Sequence, residues 1–191
     1  TNANSIIFDM WNNNASGSHD MGRMTIEIQS GSSTSPFLFT VSSGSTNTLF
    51  RQTIGQNIIS TALDDWNHYS FVFENSGSDF RTNFYLNGYL NHTVINSGIT
   101  FGELPSIDMA GKIGALITAP FRADGVASTR AANTHTFTGS IDEFRYWKAA
   151  RTADDIGKNW FSQVRGGTNT DINNTTLGVY YKFNEGNSGY G

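Results

Sequence analysis

Paired carboxylates are the residues of this sequence whose spacing bears most directly on catalysis. Hydrolysis of a glycosidic bond needs two of them, and on a β-strand they must alternate, because successive side chains point to opposite faces. Asp142 and Glu143 are adjacent, as are the acidic pairs at 64–65 and 154–155, so none of the three pairs fits. No G-x-S-x-G, phosphate-binding loop or H-E-x-x-H motif occurs. The sequence therefore predicts a protein that is not an enzyme.

Acidic residues near polar turns are the candidates for holding a metal, since Ca²⁺ prefers clustered oxygen ligands. Asp20 follows the Asn-rich run at 12–14, and Asp124 lies in a long stretch without strand-like alternation. No compact D-x-D-x-D loop is present, and Asp124-Gly125 is also typical of a plain turn. A Ca²⁺ site that includes Asp20 and Asp124 is one expectation, and purely structural turns are the alternative.

An exposed aromatic ring beside amides and carboxylates is the usual basis of sugar binding, because C–H faces stack on the ring and hydroxyls take hydrogen bonds. Trp11 stands beside the Asn-rich run, with Asn13, His19 and Asp20 close by in sequence. These residues form the first candidate ligand site. Burial of Trp11 in the core is the alternative.

A second group of candidate ligand residues lies between positions 119 and 133. Arg122 and Arg130 flank Asp124 in this stretch and would suit an acidic ligand, although solvated surface charges are the alternative. The other tryptophans are expected in the core, because they stand at strand starts, on strands or on the predicted helix: Trp66, Trp147 and Trp160.

Composition narrows the class of protein and its partners. The chain has 191 residues, a formal net charge of -4 and no cysteine, so disulfides and thiol chemistry are excluded. No basic stripe is present, which argues against nucleic acid, and no run of 18 or more apolar residues suggests membrane insertion. A polar, weakly charged, Asn- and Ser-rich surface is typical of exported β-proteins. We therefore expect an extracellular, cell-surface or virion location.

Short alternating runs separated by turn residues predict an all-β protein. The expected strands cover residues 5–10, 24–28, 37–41, 58–59, 68–73, 83–86, 89–94, 112–118, 134–147 and 179–183. Asn87-Gly88 joins two of these runs, and this dipeptide favours a two-residue type I′ hairpin turn. The stretches 42–57 and 119–133 are expected to be long loops.

A single helix is expected near the C-terminus, at residues 152–164. Thr152 and Asp155 have the spacing of a capping box, and Ile156, Trp160 and Val164 form one apolar stripe that ends before Gly166-Gly167. The stripe is interpreted as the face that packs on the sheets, and docking of a partner is the alternative. Many strands and one late helix indicate a sandwich or jelly roll rather than a parallel α/β fold.

Three segments resemble the laminin G-like jelly-roll family, part of the concanavalin A-like superfamily, in the family's order. The first is WNHYSFVF (66–73) with FYLNG (84–88), the second is FTGSIDEFRYW (137–147) running into KAART (148–152), and the third is LGVYYKFNEG (177–186). The resemblance covers most of the chain from residue 66 onward. It implies an all-β, antiparallel two-sheet jelly-roll sandwich with one short helix near the C-terminus. It also places Asp142 at the position of an acidic residue in the family pattern, which makes Asp142 a further expected Ca²⁺ ligand.

The resemblance also implies a function and a departure from the pattern. Such domains bind glycans or other surface ligands, and bacterial surface proteins and tailed-phage virion proteins carry many of them. The family's opening strands are not found before residue 5, so we expect either a piece of a longer polypeptide or a shortened front. The strand at 179–183 is then expected either to pair with an element contributed from elsewhere or to lie at a sheet edge. We expect a domain at 1–184 followed by a tail at 185–191. Its predicted function is binding of a glycan or cell-surface receptor, and the alternative is a structural virion part that contacts other chains of its assembly.

Overall fold

A computed structural model of the chain describes residues 4–12, 22–31, 34–43, 48–56, 63–102, 109–116, 135–164 and 176–184. Within these ranges it has ten β-strands and one α-helix. The strands are β1 (Ser5–Asn12), β2 (Gly22–Ile28), β3 (Phe37–Ser43), β4 (Thr48–Ile54), β5 (Tyr69–Ser76), β6 (Asp79–Leu86), β7 (Tyr89–Asn96), β8 (Met109–Ile113), β9 (Phe144–Trp147) and β10 (Leu177–Tyr181), and the helix α1 is Ala153–Asn159.

Antiparallel pairing joins the described strands into three sheets. One sheet has five strands in the order β4-β3-β2-β1-β8, another has the order β5-β6-β7, and β9 pairs with β10. Phe37, Phe39 and Val41 alternate along β3, so all three point to one face of the five-stranded sheet. That face is buried against the β5-β6-β7 sheet, which makes a two-layer sandwich.

Aromatic side chains fill the space between these two sheets. The ring of Phe37 lies 5.3 Å from that of Phe71 and 5.2 Å from that of Phe84, measured between centroids. Phe50 stacks on Phe80 at 4.6 Å. A buried aromatic side chain removes about 150–250 Å² from water, so these contacts supply much of the driving force that joins the layers.

The β9-β10 ladder covers another part of the five-stranded sheet. Phe8 of β1 contacts Phe144 and Tyr146 of β9, with ring centroids 5.2 Å and 6.1 Å apart. Among the described strands, the second layer therefore consists of two separate ladders. The predicted all-β antiparallel sandwich with one short helix is confirmed.

The expected loop at 42–57 is wrong, because it contains strand β4. Thr48–Ile54 pairs with β3 along its whole length. Phe50 and Ile54 point into the core, but Gln52 stands between them on the same face and interrupts the apolar alternation. Gln52 is accommodated by hydrogen bonds in both directions with the Asn96 amide, at 2.7 Å and 3.2 Å.

The expected strands after residue 100 are displaced or shortened. β8 begins at Met109 and ends at Ile113, because Gly114 has a positive φ of 78°. The strand expected at 134–147 is reduced to Phe144–Trp147, since His135 and Glu143 also take positive φ. The runs at 58–59 and 119–133 lie outside the described residues.

The helix is shorter than the periodicity predicts. Its capping box is confirmed, with Asp155 N–H donating to Thr152 Oγ1 at 3.1 Å. Ile156 is buried against Val72 and Tyr85, on the face of β5-β6 that points away from the core. The helix ends at Asn159, and Val164 lies beyond it, so only the first part of the apolar stripe is helical.

The hairpin turn at Asn87-Gly88 is confirmed as a two-residue turn. Leu86 pairs with Tyr89, and the two turn residues have φ of 49° and 83°. The turn also packs against the end of the helix, since a Cβ on Gly88 would lie 2.2 Å from Cδ1 of Trp160. Position 88 therefore needs glycine both for its backbone conformation and for the indole ring above it.

Replacing Gly88 with alanine tests this packing. We expect Gly88→Ala to lower the free energy of unfolding by about 3 kcal/mol, because backbone strain and displacement of the Trp160 ring add together. Gly77→Ala is the matched control, with φ of 64° and open space around the added methyl group. It should cost only about 1–2 kcal/mol. Equal losses in urea titrations of the two variants would contradict the described contact.

Candidate functional site

Of the residues predicted to bind a ligand, the structure describes only Trp11. It lies in β1, and its indole is half-buried with the guanidinium of Arg23 5.6 Å from the ring centroid. Asn13, His19, Asp20, Arg122, Asp124 and Arg130 lie outside the described residues. The sequence left open whether Trp11 is an exposed ligand contact or a buried core residue. In the structure it is a partly buried side chain on a sheet.

Trp11 belongs to a polar row on the face of the five-stranded sheet that is opposite to the aromatic core. Next to it, Arg23 makes a bidentate ion pair with Asp9 (3.0 Å and 2.7 Å), and Thr25 Oγ1 donates to the same carboxylate at 2.8 Å. Asp9, Arg23 and Thr25 are all buried. Buried charges that satisfy one another in this way are costly to separate. We interpret the row as part of the sheet's structure.

Asp142, the third expected Ca²⁺ ligand, is exposed, and its carboxylate is hydrogen-bonded to the backbone of the next residue. Its Oδ1 accepts the N–H of Glu143 at 2.9 Å, which stabilises the positive φ of that residue. Within the described ranges, no three or more His, Cys, Asp or Glu side chains are grouped so as to hold a metal ion. Asp142 thus lacks companions there for a hard cation. The Ca²⁺ expectation for Asp20 and Asp124 stays a prediction.

A cleft lies between the two larger sheets. It has a volume of about 260 Å³, and its lining includes Met24, Phe73 and Phe101. Ligand pockets for drug-sized molecules are commonly about 300–1,000 Å³. The cleft is therefore small, and its walls belong mainly to the sandwich core.

A charged cluster around Arg145 of β9 connects the motifs identified in the sequence. Arg145 Nη2 donates to Glu143 Oε2 at 3.0 Å and to the carbonyl of Ser162, while Nη1 donates to the carbonyl of Asn159 at 3.3 Å. Tyr180 of β10 donates its hydroxyl to the same Glu143 oxygen. We call Glu143, Arg145 and Tyr180 the Arg145 cluster. It ties β9 and β10 to the C-terminal end of the helix.

The ionisation of Glu143 follows from these contacts. Burial acts to raise its pKa, but the hydrogen bonds from Tyr180 and Arg145 and the charge of Arg145 outweigh it, so the pKa of Glu143 lies below its usual range. Glu143 is therefore held as a carboxylate by two donors. A carboxylate held in this way does not suit general-acid catalysis, which needs a raised pKa.

The hairpin is fixed to the segment that directly precedes β5. Asn87 N–H donates to the carbonyl of His68 at 2.9 Å, and His68 N–H donates to Asn87 Oδ1 at 2.8 Å. Asn87 Nδ2 donates to Asn67 Oδ1, also at 2.8 Å. The ring of His68 lies 6.1 Å from that of Trp160, between centroids. The asparagine of the turn therefore anchors residues 67–68 as well as the turn itself.

These contacts present an exposed tryptophan at the same end of the sandwich. Trp66 is 73% exposed, and the carboxylates of Asp64 and Asp65 beside it are exposed too. We call residues 64–67 the Trp66 corner. Tyr89 after the hairpin turn and Phe161 after the helix are also exposed, at 79% and 71%.

The expectation that Trp66 is a core residue is wrong. It precedes β5 and lies outside the strand alternation, so no inward-facing position is assigned to it. Trp160 at the helix end and Trp147 on β9, which were also expected in the core, are only partly buried. The exposure of Trp66 depends on how residues 64–68 are attached to the hairpin, and that attachment is a long-range contact which local periodicity does not report.

Comparisons with protein-family models, with curated proteins and with solved structures gave no match. Among the described residues, no helix is long and apolar enough to cross a membrane.

The environment of His68 predicts a pH dependence of stability. Burial, with the nearby charge of Arg145, lowers the pKa of His68 from 6.5 to about 4. The folded state disfavours the protonated imidazolium, whereas the unfolded state binds the proton with the ordinary pKa of 6.5. The free energy of unfolding is therefore unaffected by His68 above pH 6.5 and decreases as the pH falls from 6.5 toward 4. We expect wild-type unfolding free energy to fall by about 1–2 kcal/mol between about pH 7 and pH 5.

Substitution of the titrating group separates this effect from general acid sensitivity. In His68→Gln the decrease between those two pH values should be largely abolished, although the variant is less stable overall. The measurement is urea unfolding followed by tryptophan fluorescence. An equal pH slope in wild type and His68→Gln would contradict the assignment.

Proposed function

We propose that this chain is a non-catalytic, surface-exposed binding module that recognises a glycan at the Trp66 corner. The observation that carries the proposal is the 73% exposure of Trp66 on a segment fixed by hydrogen bonds to a hairpin. Hydrogen bonds to the hairpin hold the backbone next to Trp66, so the exposed indole is presented from a fixed segment. Loops on a rigid sandwich are also the usual place for binding residues.

The chemistry around Trp66 suits a sugar. The apolar face of a pyranose ring stacks on an indole, and the carboxylates of Asp64 and Asp65 can accept hydrogen bonds from its hydroxyl groups. The Asn67 amide serves the corner itself, because its Oδ1 accepts from Asn87 and its Nδ2 donates to the carbonyl of Asp65. The corner thus combines an exposed ring with two neighbouring carboxylates, which is similar to the combination that the sequence had suggested for Trp11.

The backbone of the Trp66 corner is fixed before any ligand binds, and this preorganisation supports a binding role. The backbone N–H of His68 and the side chain of Asn67 are both held by Asn87, whose own conformation is fixed by the two-residue turn. Rigid contact residues lose less conformational entropy on binding, so more of the interaction energy appears as affinity. The backbone that follows Trp66 is therefore already fixed before a ligand binds.

The setting of this function rests on the resemblance stated above. A laminin G-like module of a larger extracellular or virion protein fits a chain whose fold is an all-β sandwich and whose Glu143 is tied to Arg145 and Tyr180. Binding of a cell-surface receptor through its glycans belongs to the same proposal. Ca²⁺ dependence through Asp20 and Asp124 remains part of the hypothesis and is tested by the same assay.

Glycan-array binding of wild type and Trp66→Ala, with and without Ca²⁺, tests the proposal. We expect wild type to bind a defined glycan class and Trp66→Ala to lose at least about tenfold in affinity, because a central aromatic contact contributes on the order of 1.4 kcal/mol or more. The stability of Trp66→Ala should stay within about 0.5 kcal/mol of wild type, since the side chain is exposed.

The matched control is Ile95→Ala, which removes a half-exposed apolar side chain on β7. It should bind like wild type. If wild type binds no glycan, or if Trp66→Ala and Ile95→Ala bind equally well, the Trp66 corner is not the site. Loss of binding in Trp11→Ala but not in Trp66→Ala would instead place the ligand on the five-stranded sheet.

A further inference from the structure

The hairpin turn between β6 and β7 contains a chemically reactive pair of residues. An asparagine loses its side-chain amide when the backbone nitrogen of the next residue attacks Cγ, and glycine hinders this attack least because it has no side chain. Asn87-Gly88 is the single Asn-Gly dipeptide in the sequence. The turn therefore carries the asparagine of this chain that its sequence neighbour exposes most to deamidation.

Deamidation of Asn87 requires its side-chain amide to turn toward Gly88. The Gly88 nitrogen loses its proton and bonds to Cγ, the bond from Cγ to Nδ2 breaks, and the amide nitrogen leaves as ammonia. Water then opens the resulting succinimide at either carbonyl, which gives aspartate or isoaspartate. The reaction needs water alone as a co-reactant, and it starts from a conformation in which the amide is free to rotate.

In the folded chain both ends of the Asn87 amide are engaged. Oδ1 accepts the N–H of His68 at 2.8 Å, and Nδ2 donates to Asn67 Oδ1, also at 2.8 Å. The backbone N–H of Asn87 donates to the His68 carbonyl at 2.9 Å, which holds the residue against the same segment. Rotation of the amide toward Gly88 therefore breaks both side-chain hydrogen bonds at once.

The glycine of the pair is restrained as well. Asn87 and Gly88 have φ of 49° and 83°, and the Trp160 indole lies directly against Gly88, since a Cβ there would be 2.2 Å from Cδ1 of the ring. A change of the turn backbone that brings the Gly88 nitrogen to Cγ therefore also disturbs the packing of the turn on the end of the helix.

We infer that Asn87 is a modification site whose deamidation the fold controls: the amide is closed to reaction while the hairpin is attached to residues 67–68, and it reacts when that attachment opens. The hydrogen bonds that anchor the segment are the same ones that protect the amide. The reactivity of Asn87 therefore follows the attachment of the segment directly.

The product does not restore the attachment. Aspartate at position 87 has no Nδ2 donor and brings a carboxylate oxygen to Asn67 Oδ1. If the Asn67 amide turned over to supply a donor, it would lose its own hydrogen bond to the Asp65 carbonyl at 3.3 Å. In isoaspartate the main chain runs through the side-chain carbon, so the geometry of the two-residue turn is lost too. Deamidation thus weakens the anchoring of residues 67–68.

The rate of deamidation at position 87 is measured by peptide mapping and mass spectrometry at neutral pH, in native buffer and in urea that unfolds the chain. A closed amide reacts only through its open state. We therefore expect native wild type to react at least about tenfold more slowly than the unfolded chain, which corresponds to about 1.4 kcal/mol of local protection.

Two variants separate protection by Asn67 from the general effect of folding. Asn67→Ala removes the acceptor of Asn87 Nδ2 and should raise the native rate at least about threefold. Asn91→Ala is the matched control, because it removes two hydrogen bonds with the backbone of Gln56, at 2.7 Å and 3.1 Å, and should leave the rate at Asn87 unchanged. In urea, wild type and both variants should react equally fast.

Two outcomes would overturn the inference. Equal rates for native and unfolded wild type would mean that the amide is already open in the folded chain. A native rate in Asn67→Ala that is no faster than in Asn91→Ala would mean that protection does not depend on the contact with Asn67. Urea titrations of both variants show whether a faster rate comes from local opening or from a loss of global stability, and the second result would also overturn it.

Discussion

The guanidinium of Arg145 is the contact on which the arrangement of this end of the sandwich depends. It is largely buried and donates to the Glu143 carboxylate, to the carbonyl of Asn159 at the end of the helix and to the carbonyl of Ser162 beyond it. The final carbonyls of a helix have no hydrogen-bond donor within the helix. An arginine side chain that donates to one of them therefore also sets where the helix stops. Removing the guanidinium takes a donor from the part-buried carboxylate of Glu143 and from the part-buried carbonyl of Ser162, and a buried acceptor left unsatisfied costs about 1–3 kcal/mol.

The position of the helix end determines the position of the hairpin. Trp160 follows the helix directly and lies against Gly88, while its ring faces His68. Asn87 in turn holds residues 67 and 68, and these lead back to Trp66. A chain of contacts therefore runs from Arg145 through the helix end and the hairpin to the exposed corner, and each step joins segments that are distant in sequence.

The residues that carry the resemblance to laminin G-like domains are mostly the residues of this chain of contacts. Arg145, Glu143 and Tyr180 connect β9, β10 and the helix, and Asn87-Gly88 makes the hairpin. The sequence pattern of these residues therefore indicates how the sandwich is held together. A fold alone does not determine which ligand is bound. The proposed ligand contact, Trp66, owes its exposure to this assembly, which is why the proposal rests on the surface and not on the motifs.

Local patterns predicted the parts of the structure that local physics controls. Alternation located most strands, the Asn-Gly dipeptide predicted its turn, and Thr152 and Asp155 predicted the helix start, since each depends on neighbouring residues. β4 was missed because Gln52 occupies an inward position and finds its partner in Asn96, 44 residues away. The helix end and the exposure of Trp66 were missed for the same reason, because Arg145 and Asn87 act across the fold.

Native-state hydrogen exchange in wild type and Arg145→Met tests most directly whether Arg145 holds this end of the molecule together. The informative amides are those of Trp160, which donates to the Ile156 carbonyl, and Asn87, which donates to His68. We predict that Arg145→Met lowers their protection at least about tenfold more than that of Phe84 in the core, a difference of about 1.4 kcal/mol in local opening. Equal changes at all three amides, or none at Trp160 and Asn87, would contradict the account.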